Sequence, residues 1–376
     1  MANEKVQVAG VDDSAYEMNR TWGTIAMLIS ATGMGLVPLF SRWGTRTDMF
    51  DGTAGLNAGD SVGALMAVGR MTMGFIFFVV LLFATHKVGM FKKMKVTPAI
   101  ILGGVMIGAS LACYVTATLL TTVANSVLFI YTGPVIMIVL AAIFRHEKIS
   151  LLQGICIIAV IIGTLFGNNI MGFTENGFEI SFSLEMSTPD YPQKGIGDIF
   201  GLLSGVFYGS SMFFNLYRKD ADTTCRGVWN FPWLPALAAL VITLTMNFMG
   251  ESGMVPSNWA LNLHLTPFNL IGAVLLWIFS GAVALGMLLV AGRNLPAADY
   301  GCIAYWEVPV ALFVGLVVFG EALTINTIIG GILIIGGGAV PAVKGIIEGN
   351  RHNKEVEIRE NLSEKIAAAE AEENQR

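Results

Sequence analysis

Residues 302–316 read CIAYWEVPVALFVGL, an apolar stretch interrupted only by Glu307 and Pro309 near its start. The apolar run extends over 299–319, about the length that a helix needs to cross roughly 30 Å of hydrocarbon. A carboxylate at that depth is costly and normally faces the protein interior or a water-filled cavity. A proline there leaves the carbonyl four residues earlier without its hydrogen bond. The stretch predicts a membrane-spanning helix that faces an internal site.

The rest of the chain has the same apolar character. Of its 376 residues, 54% are hydrophobic and 13% are charged, whereas about a quarter of the residues in a soluble domain are charged. Apolar runs of about 17–25 residues recur along the chain and predict transmembrane helices. We predict an all-α polytopic membrane protein with ten spans, centred on residues 22–41, 63–85, 98–118, 122–144, 150–168, 196–217, 228–249, 268–291, 299–319 and 324–345.

The distribution of positive charge agrees with ten alternating spans. With both termini in the cytoplasm, 18 of the 22 lysines and arginines fall on the inner side, as the positive-inside rule requires. Only Arg42, Arg46 and Lys194 fall outside, and Arg70 lies within a span. We therefore expect a multi-pass protein of the cytoplasmic membrane with both termini inside.

The two halves of the sequence resemble each other. Residues 23–40 align with 197–214 at an offset of 174, and residues 109–135 align without a gap on 284–310 at an offset of 175. Self-similarity at one spacing along the chain indicates an internal duplication. Each repeat holds five predicted spans, so the second repeat is expected to be inverted in the membrane relative to the first. Inverted repeats around a central pathway are typical of secondary transporters.

The same alignment pairs single residues of chemical interest. Pro134 superposes on Pro309, and Glu147 falls opposite Glu321. Both prolines lie about ten residues into their spans, so the sequence predicts a helix break near mid-membrane in each half. Paired breaks of this kind either line a central site or only shape helix packing.

The spans and the duplication divide the chain into five segments. We predict a cytoplasmic N-terminal segment, a first five-helix repeat, an outer loop, a second five-helix repeat and a cytoplasmic tail. Their boundaries are 1–21, 22–168, 169–195, 196–345 and 346–376.

Three segments of the sequence resemble a known family. They are YTGPVIMIVLAAIFRHEKISLLQGICIIAVIIGTLFG at 131–167, YWEVPVALFVGLVVFGEALTINTIIGGILIIGGG at 305–338 and GALMAVGRMTMGF at 63–75. The first two resemble the proline-valine helix, the junction glutamate and the glycine-bearing helix of the EamA-type members of the drug/metabolite transporter superfamily. The third is similar to the second helix of that family. The segments 42–62 and 168–195 are longer than the family's usual connectors.

The resemblance implies a secondary active transporter of amino acids, related metabolites or drugs, working by alternating access and expected to act in efflux. Its expected partners are a small-molecule substrate, the lipid bilayer and, in one alternative, a coupling proton. No cofactor, metal or nucleic acid is expected. The alternative functions are an importer or exchanger of another solute class and, as the weaker alternative, a polytopic membrane enzyme. One glutamate and one arginine are few groups for catalysis.

Two charged residues within the spans are the main candidates for substrate binding or coupling. Glu307 either titrates in a proton-coupled cycle, binds a cationic group of the substrate, or is held in a permanent pair, with Arg70 as the expected partner. Arg70 is the only base within a span. Arg70 and Glu307 facing one cavity would suit a zwitterion, although Arg70 could equally anchor at the membrane interface.

Four further residues are candidates because they flank the two helix breaks. Tyr305 and Trp306 precede Glu307, and Tyr131 with Thr132 occupies the matching place in the first half. Their rings would supply an apolar wall or a cation–π surface for a substrate, or they would pack in the core.

Overall fold

The computed structural model of the protein describes residues 20–45, 63–144, 146, 151–167, 170–174, 177–180, 187–189, 191–217, 225, 228–229, 233–251, 266–294, 303–304, 306–337, 339–340, 343 and 347. Helices dominate this part of the chain. They are α1 (Arg20–Gly35), α2 (Val37–Thr45), α3 (Gly63–Ala84), α4 (Val88–Lys93), α5 (Pro98–Leu120), α6 (Val123–Ile130), α7 (Gly133–Phe144), α8 (Leu151–Gly167), α9 (Lys194–Tyr217), α10 (Leu234–Glu251), α11 (Pro267–Leu275), α12 (Ala284–Asn294), α13 (Glu307–Val317) and α14 (Ile325–Gly337). A π-helical segment, Leu276–Val283, joins α11 to α12.

Within the described residues, six helical stretches are long and apolar enough to cross a membrane. They are Thr21–Thr45, Met66–Ala84, Pro98–Leu120, Val123–Phe144, Lys194–Phe214 and Pro267–Leu288. They coincide with the first four, the sixth and the eighth of the predicted spans. The other four predicted spans contain the shorter helices α8, α10, α13 and α14. The helical membrane character is therefore confirmed, whereas the count of ten crossings stays a prediction.

Local side-chain chemistry explains where several helices begin. The Thr122 hydroxyl accepts a hydrogen bond from the Asn125 backbone N–H at 3.1 Å and so caps α6. Thr266 and Asn269 form a reciprocal capping box at the start of α11. Pro98 opens α5, where a proline costs no helical hydrogen bond because the first N–H groups of a helix have no partner within it.

The two helix breaks lie slightly before the prolines that predicted them. Helix α6 ends at Ile130 and α7 begins at Gly133, so Pro134 falls in the first turn of a new helix. Pro309 likewise lies in the first turn of α13. The sequence predicted a helix break at each proline. In the first half one helix ends and another begins ahead of Pro134, which avoids the lost bond of a mid-helix proline.

Helices of the two halves pack against each other in a reciprocal way. Helix α1 packs on α12, and its counterpart α9 packs on α5, so that each half's first helix contacts the other half's third. The close approaches are also reciprocal. A Cβ at Gly35 would clash with the Glu307 carbonyl, and a Cβ at Gly209 would clash with the Gly133 carbonyl. Each contact sets a glycine of one half's first helix against the backbone just before the proline of the other half, Pro309 or Pro134.

The last helices of the halves, α8 and α14, cross at glycines. A Cβ at Gly330 would lie 2.7 Å from the Gly163 carbonyl oxygen, and one at Gly337 would lie 2.8 Å from the Cys156 carbonyl oxygen. The offset of 174 residues, which also aligns residues 23–40 with 197–214, relates Cys156 to Gly330 and Gly163 to Gly337. Each of these two contacts therefore becomes the other when the halves are exchanged. Small residues at such crossings let helix backbones come close enough for van der Waals packing.

Alanine at Gly330 is expected to destabilise the protein by about 1–3 kcal/mol, because its methyl group overpacks the contact with α8. The measurement is the thermal unfolding midpoint of the purified protein in detergent. Gly336→Ala on the same helix is the matched control, since a Cβ there meets nothing within 4 Å and alanine favours a helix over glycine. Equal midpoints for the two variants would contradict this packing of α8 on α14.

The predicted outer loop contains a β-hairpin. Strands β1 (Met171–Thr174) and β2 (Gly177–Ile180) pair antiparallel, with Met171 opposite Ile180. The Phe173 backbone N–H donates to the Asn326 side-chain oxygen at 2.9 Å, which ties the hairpin to the start of α14.

Candidate functional site

Glu307 begins helix α13 and lies buried in the described bundle, with 8% of its surface exposed. A carboxylate in a first helical turn is favoured because the free N–H groups there carry partial positive charge. Gly35 on α1 lets the backbone of Glu307 approach closely, since any side chain at Gly35 would meet the Glu307 carbonyl. The break, the helix start and the glycine together hold this carboxylate inside the protein.

Tyr131 reaches Glu307 from the other half of the chain. Its hydroxyl donates to Glu307 Oε2 at 2.7 Å and lies 3.1 Å from the Ala304 carbonyl oxygen. Tyr131 stands at the end of α6, in the break before α7. The breaks predicted separately in the two halves therefore meet at one hydrogen bond.

The other candidates beside the breaks have different surroundings. Trp306 is about half exposed, and its indole N–H donates to the Thr32 hydroxyl at 3.2 Å. The buried Thr132 hydroxyl donates to the Phe129 carbonyl at 2.7 Å and packs beside Gly205, so it serves a helix contact. Tyr305 and the side chain of Pro134 lie outside the described residues. Pro309 is exposed at the surface of the bundle.

Arg70 lies on α3 and is fully buried. Its Nε donates to the Ser280 carbonyl oxygen at 3.2 Å, and its Nη2 lies 2.7 Å from the Met34 sulfur. The Arg70 charge interacts electrostatically with that of Glu307. The described contacts nevertheless include no ion pair between the two side chains. A direct Arg70–Glu307 pair, one of the alternatives from the sequence, stays a prediction.

A second buried polar cluster, which we call the end cluster, consists of Arg42, Tyr191, Lys194, Asp198 and Glu321. Arg42 Nη2 lies 2.7 Å from Glu321 Oε1, and their side chains are 0% and 6% exposed. The Tyr191 hydroxyl donates to the same Glu321 oxygen at 2.6 Å. Burial raises the pKa of Tyr191 above its usual value, so the hydroxyl keeps the proton that it donates.

Backbone groups complete the environment of Arg42 and Glu321. Arg42 donates to the carbonyl oxygens of Thr118 and Thr121 at 3.0 and 3.1 Å. Glu321 Oε2 accepts the Val123 backbone N–H at 2.9 Å, at the start of α6. The Arg42 guanidinium also lies 4.4 Å from the centre of the Phe319 ring. Apart from Nη1 of Arg42, which has no partner in the described structure, these contacts satisfy a buried ion pair that would otherwise be costly.

Asp198 carries the end cluster onto α9. Its Oδ1 accepts hydrogen bonds from the Thr121 hydroxyl at 2.6 Å and from the Asn125 amide at 3.2 Å. Its Oδ2 lies 3.2 Å from Lys194 Nζ. The end cluster thus connects α2, the junction between α5 and α6, α9 and the end of α13 at one end of the bundle.

Most residues of the end cluster were not predicted to form a site. Arg42 and Lys194 were predicted to be charges of the outer side, but both are buried and paired. Glu321 was predicted only to be a junction residue of the second repeat. Arg42 and Glu321 lie near opposite ends of the chain, so no local pattern connects them. The sequence offers one hint that the five residues could meet, because the predicted topology puts them all at the outer side of the membrane. Glu147, the counterpart of Glu321, lies outside the described residues.

Comparison with known proteins identifies the first half of the chain. Residues 21–168 match the sequence profile of the EamA-like transporter family. We call this matched stretch the EamA-like unit. The family that it resembles is part of the drug/metabolite transporter superfamily. No curated protein matches the chain significantly.

Solved structures extend the similarity beyond the EamA-like unit. One crystal structure, described only as that of a protein, superposes with a TM-score of 0.52 at 14% sequence identity. The alignment covers 86% of this chain and 98% of the other. At this identity the match shows a shared fold and nothing about function.

The EamA-like unit supplies Arg42, Arg70 and Tyr131, whereas Glu307 and Glu321 come from the second half. Both polar clusters therefore need both halves of the chain. The matched family is one of transporters, and the six long apolar helices among the described residues agree with a membrane protein. Among the described residues, no group of three or more His, Cys, Asp or Glu side chains could hold a metal ion.

Proposed function

We propose that the protein is a secondary active transporter that moves a small metabolite or drug across the cytoplasmic membrane by alternating access, in the direction of efflux. The observation that carries the proposal is the hydrogen bond between Tyr131 and Glu307. It joins the interrupted helices of the two halves at a buried carboxylate. Interrupted helices that meet between two repeats are where secondary transporters bind substrates and coupling ions.

The proposal includes a bundle of ten helices in two inverted five-helix repeats, 22–168 and 196–345, with both termini in the cytoplasm. The reciprocal contacts support it. The Gly163–Gly330 contact and the Cys156–Gly337 contact are exchanged by the sequence offset that aligns the two repeats. A two-fold relation between the halves produces such exchanged pairs, whereas unrelated helices would not.

Two similar halves can exchange inward-open and outward-open arrangements around a fixed site. In this scheme the end cluster closes one end of the pathway, because the Arg42–Glu321 ion pair ties α2 to the end of α13. Opening that end requires the pair to separate and both charges to become hydrated. Glu307 remains in the centre and exchanges its Tyr131 partner for the substrate or for a coupling proton.

Reconstitution into liposomes tests the proposal. A panel of labelled amino acids, related metabolites and cationic drugs is offered outside vesicles preloaded with the same unlabelled solute. We expect saturable exchange of at least one solute and none in protein-free vesicles. Absence of exchange for every solute, from protein that is shown to be folded by a cooperative thermal transition, would contradict the transport proposal.

A further inference from the structure

Two buried hydrogen-bond donors near Glu307 have no partner in the described structure. They are Nη1 of Arg70 and the hydroxyl of Tyr114. Both residues are 0% exposed. A buried polar group without a partner costs about 1–3 kcal/mol, so native proteins rarely leave two together without a reason.

The position of Arg70 is fixed by the helices around it. Its Nε is held by the carbonyl of Ser280 in the π-helical segment, and the Ser280 hydroxyl donates to the Gly33 carbonyl at 2.6 Å. Gly281 leaves room for the Arg70 backbone and the base of its side chain. π-helical segments within α-helices are frequent at functional sites because they redirect backbone carbonyls. Here the Ser280 carbonyl of the π-helical segment holds Nε of the guanidinium. Nη1 is left to donate a hydrogen bond to a ligand.

Comparison of the two fully buried arginines shows what Arg70 lacks. Arg42 also has one Nη without a partner, but its charge is paired with Glu321 at 2.7 Å. Arg70 makes no ion pair with a carboxylate among the described residues, and Glu307 receives its hydrogen bond from Tyr131 instead. A buried charge requires compensation by a pairing charge. Glu307 acts on Arg70 electrostatically but without direct contact, so the anion that pairs directly with the guanidinium is expected to come from outside the chain.

Tyr114 supplies a second donor of a different kind. It lies on α5, which packs against the Arg70 helix α3, and its side chain belongs to the same buried cluster as Met66 and Ala67 of α3 and as Tyr131, the partner of Glu307. A guanidinium N–H and a neutral hydroxyl can each donate to one of the two oxygens of a carboxylate. A second carboxylate on the same molecule would be repelled by Glu307.

We infer that Arg70 and Tyr114 form the subsite for a single carboxylate group, so that the transported solutes are small monocarboxylates. The inference rests on the proposed transport function and names its substrate class. The bundle is closed over both donors in this structure, and the ligand enters when the helices around them separate. Binding then satisfies two polar groups that have no hydrogen-bond partner among the described residues.

Ligand-induced stabilisation of the full-length protein in detergent tests the subsite. The probes are three carboxylate–amide pairs: acetate and acetamide, lactate and lactamide, and L-leucine and L-leucinamide. We expect at least one carboxylate to raise the unfolding midpoint in a concentration-dependent way, while its amide does not. Chloride is the control for anions without the two-oxygen geometry. Equal stabilisation by the amide or by chloride, or none by any carboxylate, would overturn the inference.

Tyr114→Phe is the most informative variant, because it removes one oxygen and leaves the ring. The apparent affinity for the stabilising carboxylate is expected to fall about tenfold, the scale of one hydrogen bond to a charged group. The unfolding midpoint without ligand is expected to stay level or rise, because an unpaired buried hydroxyl is removed. An unchanged affinity in a folded Tyr114→Phe protein would remove Tyr114 from the subsite.

Flux measurements separate this inference from the transport proposal. Exchange of amides or amines, with no effect of carboxylates, would leave transport intact and overturn the monocarboxylate subsite. Carboxylate binding that depends on Tyr114, without any flux, would support the subsite and contradict the transport function.

Discussion

Replacing Glu307 with glutamine is expected to lower solute flux in proteoliposomes by at least about tenfold, with folding retained. Glutamine keeps the shape of the side chain and an oxygen that can accept the Tyr131 hydrogen bond. It removes the negative charge and the ability to bind and release a proton. Losing one charge-assisted interaction costs about 1.5–3 kcal/mol, which corresponds to a factor of about 10–100. The measurement is the initial exchange rate at matched amounts of reconstituted protein.

Two variants serve as controls for that experiment. Glu179→Gln makes the same chemical change at an exposed position of β2, and its flux should match that of the unaltered protein. Tyr131→Phe removes the hydrogen bond to Glu307 but keeps the carboxylate, and we expect it to lose less flux than Glu307→Gln. Exchange at the normal rate in Glu307→Gln, with its dependence on pH preserved, would show that this carboxylate neither binds the substrate nor carries a coupling proton.

Breaking the Arg42–Glu321 pair is expected to give the largest loss of stability. Arg42→Met leaves the Glu321 charge buried without a cation, and Glu321→Met leaves Arg42 without an anion. Removing one member of a buried ion pair costs about 3–5 kcal/mol, because the remaining charge is uncompensated. Each single variant should therefore unfold at a clearly lower temperature in detergent.

The double variant distinguishes an ion pair from two independent charges. With both residues replaced by methionine, neither charge of the pair remains buried, and stability is expected to return most of the way to the original value. Lys95→Met, at an exposed lysine, should leave the unfolding midpoint unchanged. Additive losses in the double variant would mean that the Arg42–Glu321 contact does not determine the stability of this end of the bundle.

The residues that the sequence identified share one property, which is that they stand out from their immediate neighbours. Glu307 was identified because a carboxylate is exceptional in an apolar run, and Arg70 because it is the only base within a predicted span. Tyr131 was identified by aligning the first half of the chain with the second. The proline pair was singled out by the same alignment, and each proline lies in the first turn of a helix.

The residues that the sequence missed are distinguished only by their tertiary surroundings, either by distant partners or by the absence of one among the described residues. Tyr114 is an ordinary aromatic residue of an apolar helix, and only its missing hydrogen bond within the described structure sets it apart. Arg42 looked like a charge of a loop because it follows directly after an apolar run. Its burial depends on Glu321, on two carbonyls at the end of α5 and on the ring of Phe319.

By itself, the sequence determined the helical membrane character of the protein, the approximate ends of its helices and Glu307 as a carboxylate within a predicted span. These follow from local rules, because a bilayer requires long apolar segments and makes each exception costly. Only the tertiary structure decided that Tyr131 holds Glu307, that Arg70 meets no carboxylate in the described part of the chain, and that Arg42 is compensated by Glu321. Pairing depends on distances of a few ångströms between helices, and hydrophobic periodicity along one helix carries no information about which neighbour provides the partner.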